Sequence, residues 1–374
     1  MSGLMLDDPD GTLEMLRDSV AGFAERFDGP EGFRARRDAG QDLDRTVWSA
    51  MAEAGWLGLH LPEEIGGAGL GVAEQAVLSE ALGRALISEP LAQLSVFAGV
   101  LLAQGDGAER DRLADGLIAG TAIVSPAWQG RDGAPAPLVA RVHGEDTVLT
   151  GALCHVSAPV SATDFVVLAE AGGDWMLLSV PAGAGGLSVD AAPTLDGAQL
   201  GQLTFRDVKV PGNAVLARGN SARAALEAAV ATTRLALAAE MAGIAAEAID
   251  RTVAYTRDRV QFGKAIASFQ VVQHRLVDMW SDAEFAQAAV VNAVETLADG
   301  PGKAADLAIL AAKARAGDAA VTITRRAIHL HGAMGFTDAC DIGLFMKRAV
   351  ALNATLGQPE ELRLLFVARE GVAA

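Results

Sequence analysis

The chain has 374 residues, enough for two or three domains or layers around a substantial core. Its 47 acidic against 30 basic side chains leave a formal charge of −17 and a pI near 4.7, a field that repels nucleic acid and anionic membranes. Cys154 and Cys340 stand far apart with no Cys or His at ligand spacing, which excludes a disulfide framework or a zinc site and fits a reducing, cytoplasmic setting.

In chain order, Leu13, Leu16, Val20, Phe23 and Phe27 recur in steps of three and four, the face of a helix that Gly29 and Pro30 should end. A second helix is expected over 43–54. The glycine-rich segment 55–70 follows without a preceding strand or a basic residue, so it reads as a structural loop and not as a phosphate cradle. Further helices are expected over 72–86 and, as a hairpin, over 91–119. Beyond Ala122 the pattern changes to short runs such as LVARV, TVLT, DFVVLA, WMLLSV and LTFRDVKV, separated by Gly and Asp, which predict a small antiparallel sheet ended by Pro211. From Ser221 the composition returns to strong helix formers. The N-terminus MSGLMLDDPDG lacks the basic and apolar regions of a signal peptide, so none is expected, and no uninterrupted apolar run reaches membrane-spanning length. The domains are therefore expected over 1–120, 121–220 and 221–374, with the fold class α+β.

One stretch is ordered for more than packing. TRDRVQFGKAIASFQ, residues 256–270, closes a long apolar helix with Arg257 and Arg259, breaks at Gly263 and restarts a helix at Ser268 with Phe269 and Gln270. Cationic and amide groups gathered at a helix break suit an anionic, nucleotide-like ligand. A solvated helix-end cation is the plain alternative for Arg259.

WLGLHLPEEIGGAGL with SEALGRAL, then LTFRDVKVP, RVQFG with FQ, and IHLHGAMGF together resemble the acyl-CoA dehydrogenase family of flavoenzymes, in the same order and over nearly the whole chain. Within the family, the pattern is most similar to small subunits of the pimeloyl-CoA dehydrogenase type. The resemblance implies an N-terminal helical domain, a middle antiparallel β domain and a C-terminal four-helix bundle. It also implies FAD as cofactor, an acyl-CoA thioester as ligand, and a dimer-based tetramer in which each flavin lies across two subunits. In the reaction of this family, a carboxylate removes the proton alpha to the thioester while the beta hydrogen leaves as hydride to the flavin, with electron-transferring flavoprotein as the acceptor.

By the same resemblance, Arg259, Gln261, Phe262 and Gln270 match the segment that reaches the ADP side of a neighbouring subunit's FAD. In HLHGAMG, His329 stands where the family has glutamine and Ala333 where it has glycine, while Gly332 and Gly335 are kept. A capping or packing role for His329 and His331 stays open, and metal binding by this pair lacks a third ligand. On the flavin-ring side, Val124 replaces a hydroxyl residue, Trp128 stands where small residues are usual, and His155 replaces an aromatic, whereas Ser157 keeps its hydroxyl. The two positions at which the family carries its catalytic glutamate hold Leu356 and Thr233, neither a competent base. Glu240, seven residues after Thr233 and about 10 Å along the helix, is an in-chain candidate or an ordinary buried carboxylate.

These readings predict a heteromeric subunit, in a heterotetramer, whose paralogous partner supplies the base and the flavin-ring pocket. The alternatives are a self-sufficient homotetramer using Glu240, and a cofactor-free scaffold or acyl-CoA-binding subunit.

Overall fold

The computed structural model describes residues 3–371. Helices come first. These are α1 (Thr12–Arg26), α2 (Gly29–Ala39), α3 (Arg45–Glu53), α4 (Val72–Ala85), α5 (Phe97–Ala103, entered through a π-helical turn Ala92–Val96) and α6 (Gly107–Ile118). Eight strands follow: β1 (Val124–Ala127), β2 (Leu138–His143), β3 (Asp146–Ser157), β4 (Asp164–Ala171), β5 (Asp174–Pro181), β6 (Leu187–Pro193), β7 (Gln199–Val210) and β8 (Val215–Arg218). The chain then returns to helix in α7 (Gly219–Asp258). After the two-stranded hairpin β9 (Val260–Gln261) and β10 (Lys264–Ala265) come α8 (Gln270–Ala298), α9 (Lys303–His331), α10 (Ile342–Ala354) and α11 (Pro359–Glu370).

Several boundaries follow from local chemistry. The Asp44 side chain accepts from the amides of Thr46 and Val47 and so caps α3. Gln358 and Glu361 form a reciprocal capping box on α11, with Pro359 in its first turn. Gly29 and Pro30 act differently from expectation. Phe27 already leaves helical geometry at φ −123° and ψ 91°, and Pro30 opens α2, where its missing N–H is no loss.

By contacts the chain forms two compact units that do not follow chain order. One comprises the chain up to Ala35, Gly71–Ser88 and everything from Arg234 onward; the other comprises Arg36–Leu70 and Glu89–Thr233.

The second unit is built on the sheet, in the order β6-β7-β3-β2-β4-β5-β8. It is mixed, not purely antiparallel. One edge of β4 is shared end to end by β1 (Val124 opposite Asp164) and β2 (Leu138 opposite Ala169), both parallel to it. Parallel pairing needs long connections and no hairpin turns, so alternation within each strand does not reveal it. Strand β4 is buried along six consecutive residues, as a strand covered on both faces must be. Leu149, Leu153, Phe165, Leu178, Leu203 and Phe205 form the core around it. Arg112 of α6 pins the sheet by donating to Asp164 at 2.7 Å and to Glu109, whose carboxylate accepts from Ser179.

The first unit is a stack of alanine-rich helices in which α9 packs against α8, α10 and α11, and α1 packs against α4. Small side chains let backbones meet. A Cβ at Gly243 of α7 would lie 2.0 Å from the Glu80 carbonyl oxygen of α4, and one at Gly83 would lie 2.2 Å from that of Glu240. Helix α7 is long and apolar enough to cross a membrane by length and composition, a match the run-by-run reading of the sequence missed. Its most apolar window is 72% buried, as expected of a core helix.

Candidate functional site

Three helix ends meet in the first unit at the segment singled out above. Helix α7 runs out at Asp258, and the amide of Arg259 still bonds back to the Tyr255 carbonyl. The Tyr255 ring stacks on His331 at 4.2 Å between centroids, and its hydroxyl donates to the His331 carbonyl, which ties the end of α7 to the end of α9. Arg275, in the second turn of α8, places Nη1 2.6 Å from Nδ1 of His329 and so ties the start of α8 to the same helix end. Burial in this stack holds the His331 imidazole below its ordinary pKa, so His331 is a packing residue.

The β9–β10 hairpin projects from this junction. Its turn residues Phe262 and Gly263 have φ of 53° and 79°, the all-positive pattern of a type I′ turn, which usually selects Asn or Gly at both places. Phe262 is nonetheless 92% exposed, touched edge-on by Phe269 at 6.1 Å. An aromatic side chain held both in strained backbone and in water has no packing explanation within its own subunit. Arg257, Arg259, Gln261 and Gln270 are exposed beside it in sequence, and among the described residues no carboxylate pairs with Arg257, Arg259 or Arg275. On a chain of charge −17, this is a local cationic face.

Of the expected site residues, Arg259, Gln261, Phe262, Gln270, His329, Gly332 and Gly335 all belong to this unit, and Ser157 belongs to the other. Gly332 ends α9 at φ 63°, a conformation that favours glycine. Gly335 is required by packing, since a Cβ there would lie 2.6 Å from the Ile328 carbonyl oxygen. Arg275 and Tyr255 were missed in the sequence, because only the fold brings α8 and α7 against the end of α9.

At the two positions where the resemblance places a base, Leu356 and Thr233, the side chains offer no proton acceptor of useful strength. Leu356 has φ 58°, and its carbonyl accepts from Arg234 Nε at 2.9 Å. The fully buried Lys313 ammonium donates to the carbonyls of Leu352, Asn353 and Gly357 at 3.1, 3.2 and 3.4 Å, so the turn after α10 is gripped from two sides. Burial lowers the Lys313 pKa to about 7 and that of Arg234 to about 10. Thr233 is fully buried, and its hydroxyl has no hydrogen-bond partner among the described residues. The candidate Glu240 is engaged elsewhere. Its Oε1 accepts from Arg348 Nε at 2.8 Å and lies 2.8 Å from Nη2, and both residues are buried. A buried carboxylate with one oxygen held by a buried guanidinium is a structural ion pair and not a poised base.

In the second unit, the residues expected at the flavin-ring side are largely spent on the protein. Val124 is fully buried, and the Ser125 hydroxyl donates to the Ser157 carbonyl at 2.6 Å. Trp128 is buried and stacks on Phe97 at 5.9 Å. His155 sits in a bulge of β3 at φ 58°, its Nε2 3.3 Å from the Arg131 carbonyl oxygen. The Ser157 hydroxyl makes no hydrogen bond to the described residues. The fit to FAD is thus divided: an exposed aromatic and cationic grip suits the ADP half, whereas a single free hydroxyl is left for the ring.

Known proteins place this geometry. The acyl-CoA dehydrogenase N-terminal domain profile matches residues 10–121, and the acyl-CoA dehydrogenase C-terminal domain profile matches residues 222–371. The acyl-CoA dehydrogenase IpdE2 of Mycolicibacterium smegmatis is 30% identical over 354 residues, 94% of this chain and 97% of its own length. The structure of the Tcur3481–Tcur3483 steroid ACAD superposes with a TM-score of 0.86 at 29% identity, covering 97% of this chain and 99% of that one. The ChsE4–ChsE5 complex of Mycobacterium tuberculosis does so with a TM-score of 0.88 at 25% identity, each chain fully covered. The N-terminal helices, middle β domain and C-terminal helices are the fold these proteins share, and FAD is the cofactor of their family. The chain belongs to the acyl-CoA dehydrogenase family.

Proposed function

We propose that this protein is one subunit of a heteromeric FAD-dependent acyl-CoA dehydrogenase, in which a paralogous subunit supplies the catalytic base and most of the flavin-ring pocket. The observation that carries the reading is the exposed hairpin. Phe262 is set out in solvent with only an edge-on contact to Phe269, and Arg259 is exposed with no carboxylate partner among the described residues, on a chain that holds Leu356 and Thr233 where the resemblance places a base. The similarity to the Tcur3481–Tcur3483 and ChsE4–ChsE5 proteins, each of two components, supports it.

In such an assembly, Arg259 and Phe262 would hold the ADP half of the cofactor, the guanidinium as a donor to anionic oxygens and the ring as an apolar surface. Gln261 and Gln270 add amide donors and acceptors at the same edge. FAD, when bound, would supply the hydride acceptor of the reaction. This chain abstracts no proton; its part is to hold the nucleotide and, through the Lys313 and Arg234 grip on the turn at Leu356, to keep that turn rigid. The electrons pass to electron-transferring flavoprotein, and the assembly is a cytoplasmic heterotetramer. The pimeloyl-CoA branch is kept only as one source of candidate partners.

Co-expression with paralogous subunits encoded nearby, followed by flavin absorbance and ferrocenium-linked turnover, tests the reading. Flavin and activity are expected in the complex and not in the separate chain. Stoichiometric FAD and full turnover in the separate chain would sink it.

A further inference from the structure

The contact between Arg275 and His329 has a chemical consequence for that nucleotide grip. A guanidinium has five N–H donors and no acceptor, and it keeps its proton in proteins. At 2.6 Å, Nη1 of Arg275 therefore donates, and Nδ1 of His329 accepts. An imidazole that accepts at Nδ1 carries its proton at Nε2. His329 and Arg275 are both exposed, so the Nε2–H is available to a ligand outside the subunit.

We propose that Arg275 is a positioning residue that locks His329 as an Nε2–H donor toward the ADP half of the FAD gripped by Arg259. The inference rests on the shared-flavin reading above. Three observations place His329 at that grip: its tie to α8 about one and a half turns from Gln270, the Tyr255 contact joining the end of α9 to the helix that leads into Arg259, and the absence of any carboxylate partner for Arg275 among the described residues. Without the guanidinium, the neutral ring is free to carry its proton on either nitrogen, and part of the population presents an acceptor, which repels phosphate oxygens. A glutamine at 329 presents its amide N–H₂ whatever stands at 275, because its donor does not depend on a tautomer.

The native assembly, purified through a tag on this chain and stripped of flavin, is titrated with FAD and followed by flavin fluorescence. His329→Ala should weaken binding about tenfold, the loss of one hydrogen bond to a charged group, and His329→Gln should leave it unchanged. Arg275→Met should weaken binding about twofold in the wild-type background, since roughly half of the freed rings still present the Nε2–H, and have no effect in the His329→Gln background. Urea midpoints report that the variants are folded. An equal loss from Arg275→Met in both backgrounds shows that Arg275 acts on the ligand directly and overturns the tautomer lock. Unchanged binding by His329→Ala removes His329 from the grip and also overturns it. If Arg259→Ala leaves FAD affinity unchanged as well, the shared-flavin reading fails together with the lock, an outcome distinct from failure at His329 alone.

Discussion

Arg234 Nε donates a 2.9 Å hydrogen bond to the carbonyl oxygen of Leu356, at the turn after α10. Arg234→Met leaves the Leu356 carbonyl without its partner in a partly buried turn and should lower stability by about 1–3 kcal/mol. Urea denaturation of the folded variant gives the value.

Lys313 makes the same turn sensitive to pH. In the unfolded chain this amine keeps its proton up to about pH 10.5, whereas burial releases it near pH 7 in the fold. Between those values the unfolded state binds more protons, so the stability Lys313 confers rises with pH. Below that window the full cost of the buried charge remains. Urea unfolding of wild type and Lys313→Met at about pH 7 and about pH 9 should show the wild type gaining on the variant at the higher pH. Parallel values at the two pH settings would contradict the lowered pKa.

Glu240 and Arg348 should behave as a structural pair. Glu240→Gln removes one member of a buried ion pair and should cost about 3–5 kcal/mol. Turnover per folded complex should stay within a factor of two of wild type. A collapse of turnover at unchanged flavin content would restore Glu240 as the base.

The crossing of α4 and α7 has no room for a methyl group. Gly243→Ala sets a Cβ against the Glu80 carbonyl oxygen and should destabilise by about 1–3 kcal/mol. Thermal and urea midpoints check it, and Gly22→Ala, where an added Cβ meets nothing within 4 Å, serves as the control.

The hairpin offers the opposite profile. Phe262→Ala and Arg259→Ala touch little within the subunit and should alter stability by no more than about 0.5 kcal/mol. Flavin retention by the assembly should nonetheless fall sharply, as measured by absorbance after gel filtration.

The sequence by itself determined the order helices, sheet, helices, because periods of 3.6 and 2 are local and survive in a single chain. It also singled out residues 256–270, which lie in one short contiguous motif. Start and stop signals were less decisive. Gly29 and Pro30 read as a stop but open α2, since α1 has already ended at Phe27, and the four-residue strands β1 and β8 are too short to show a period. What only the tertiary structure decided are relationships between distant segments. These include the parallel neighbours of β4, the pairing of Glu240 with Arg348 across 108 positions, and the meeting of Arg275 with His329 across 54. The reason is physical: a hydrogen bond or ion pair depends on where two helices cross, and no local periodicity encodes the crossing.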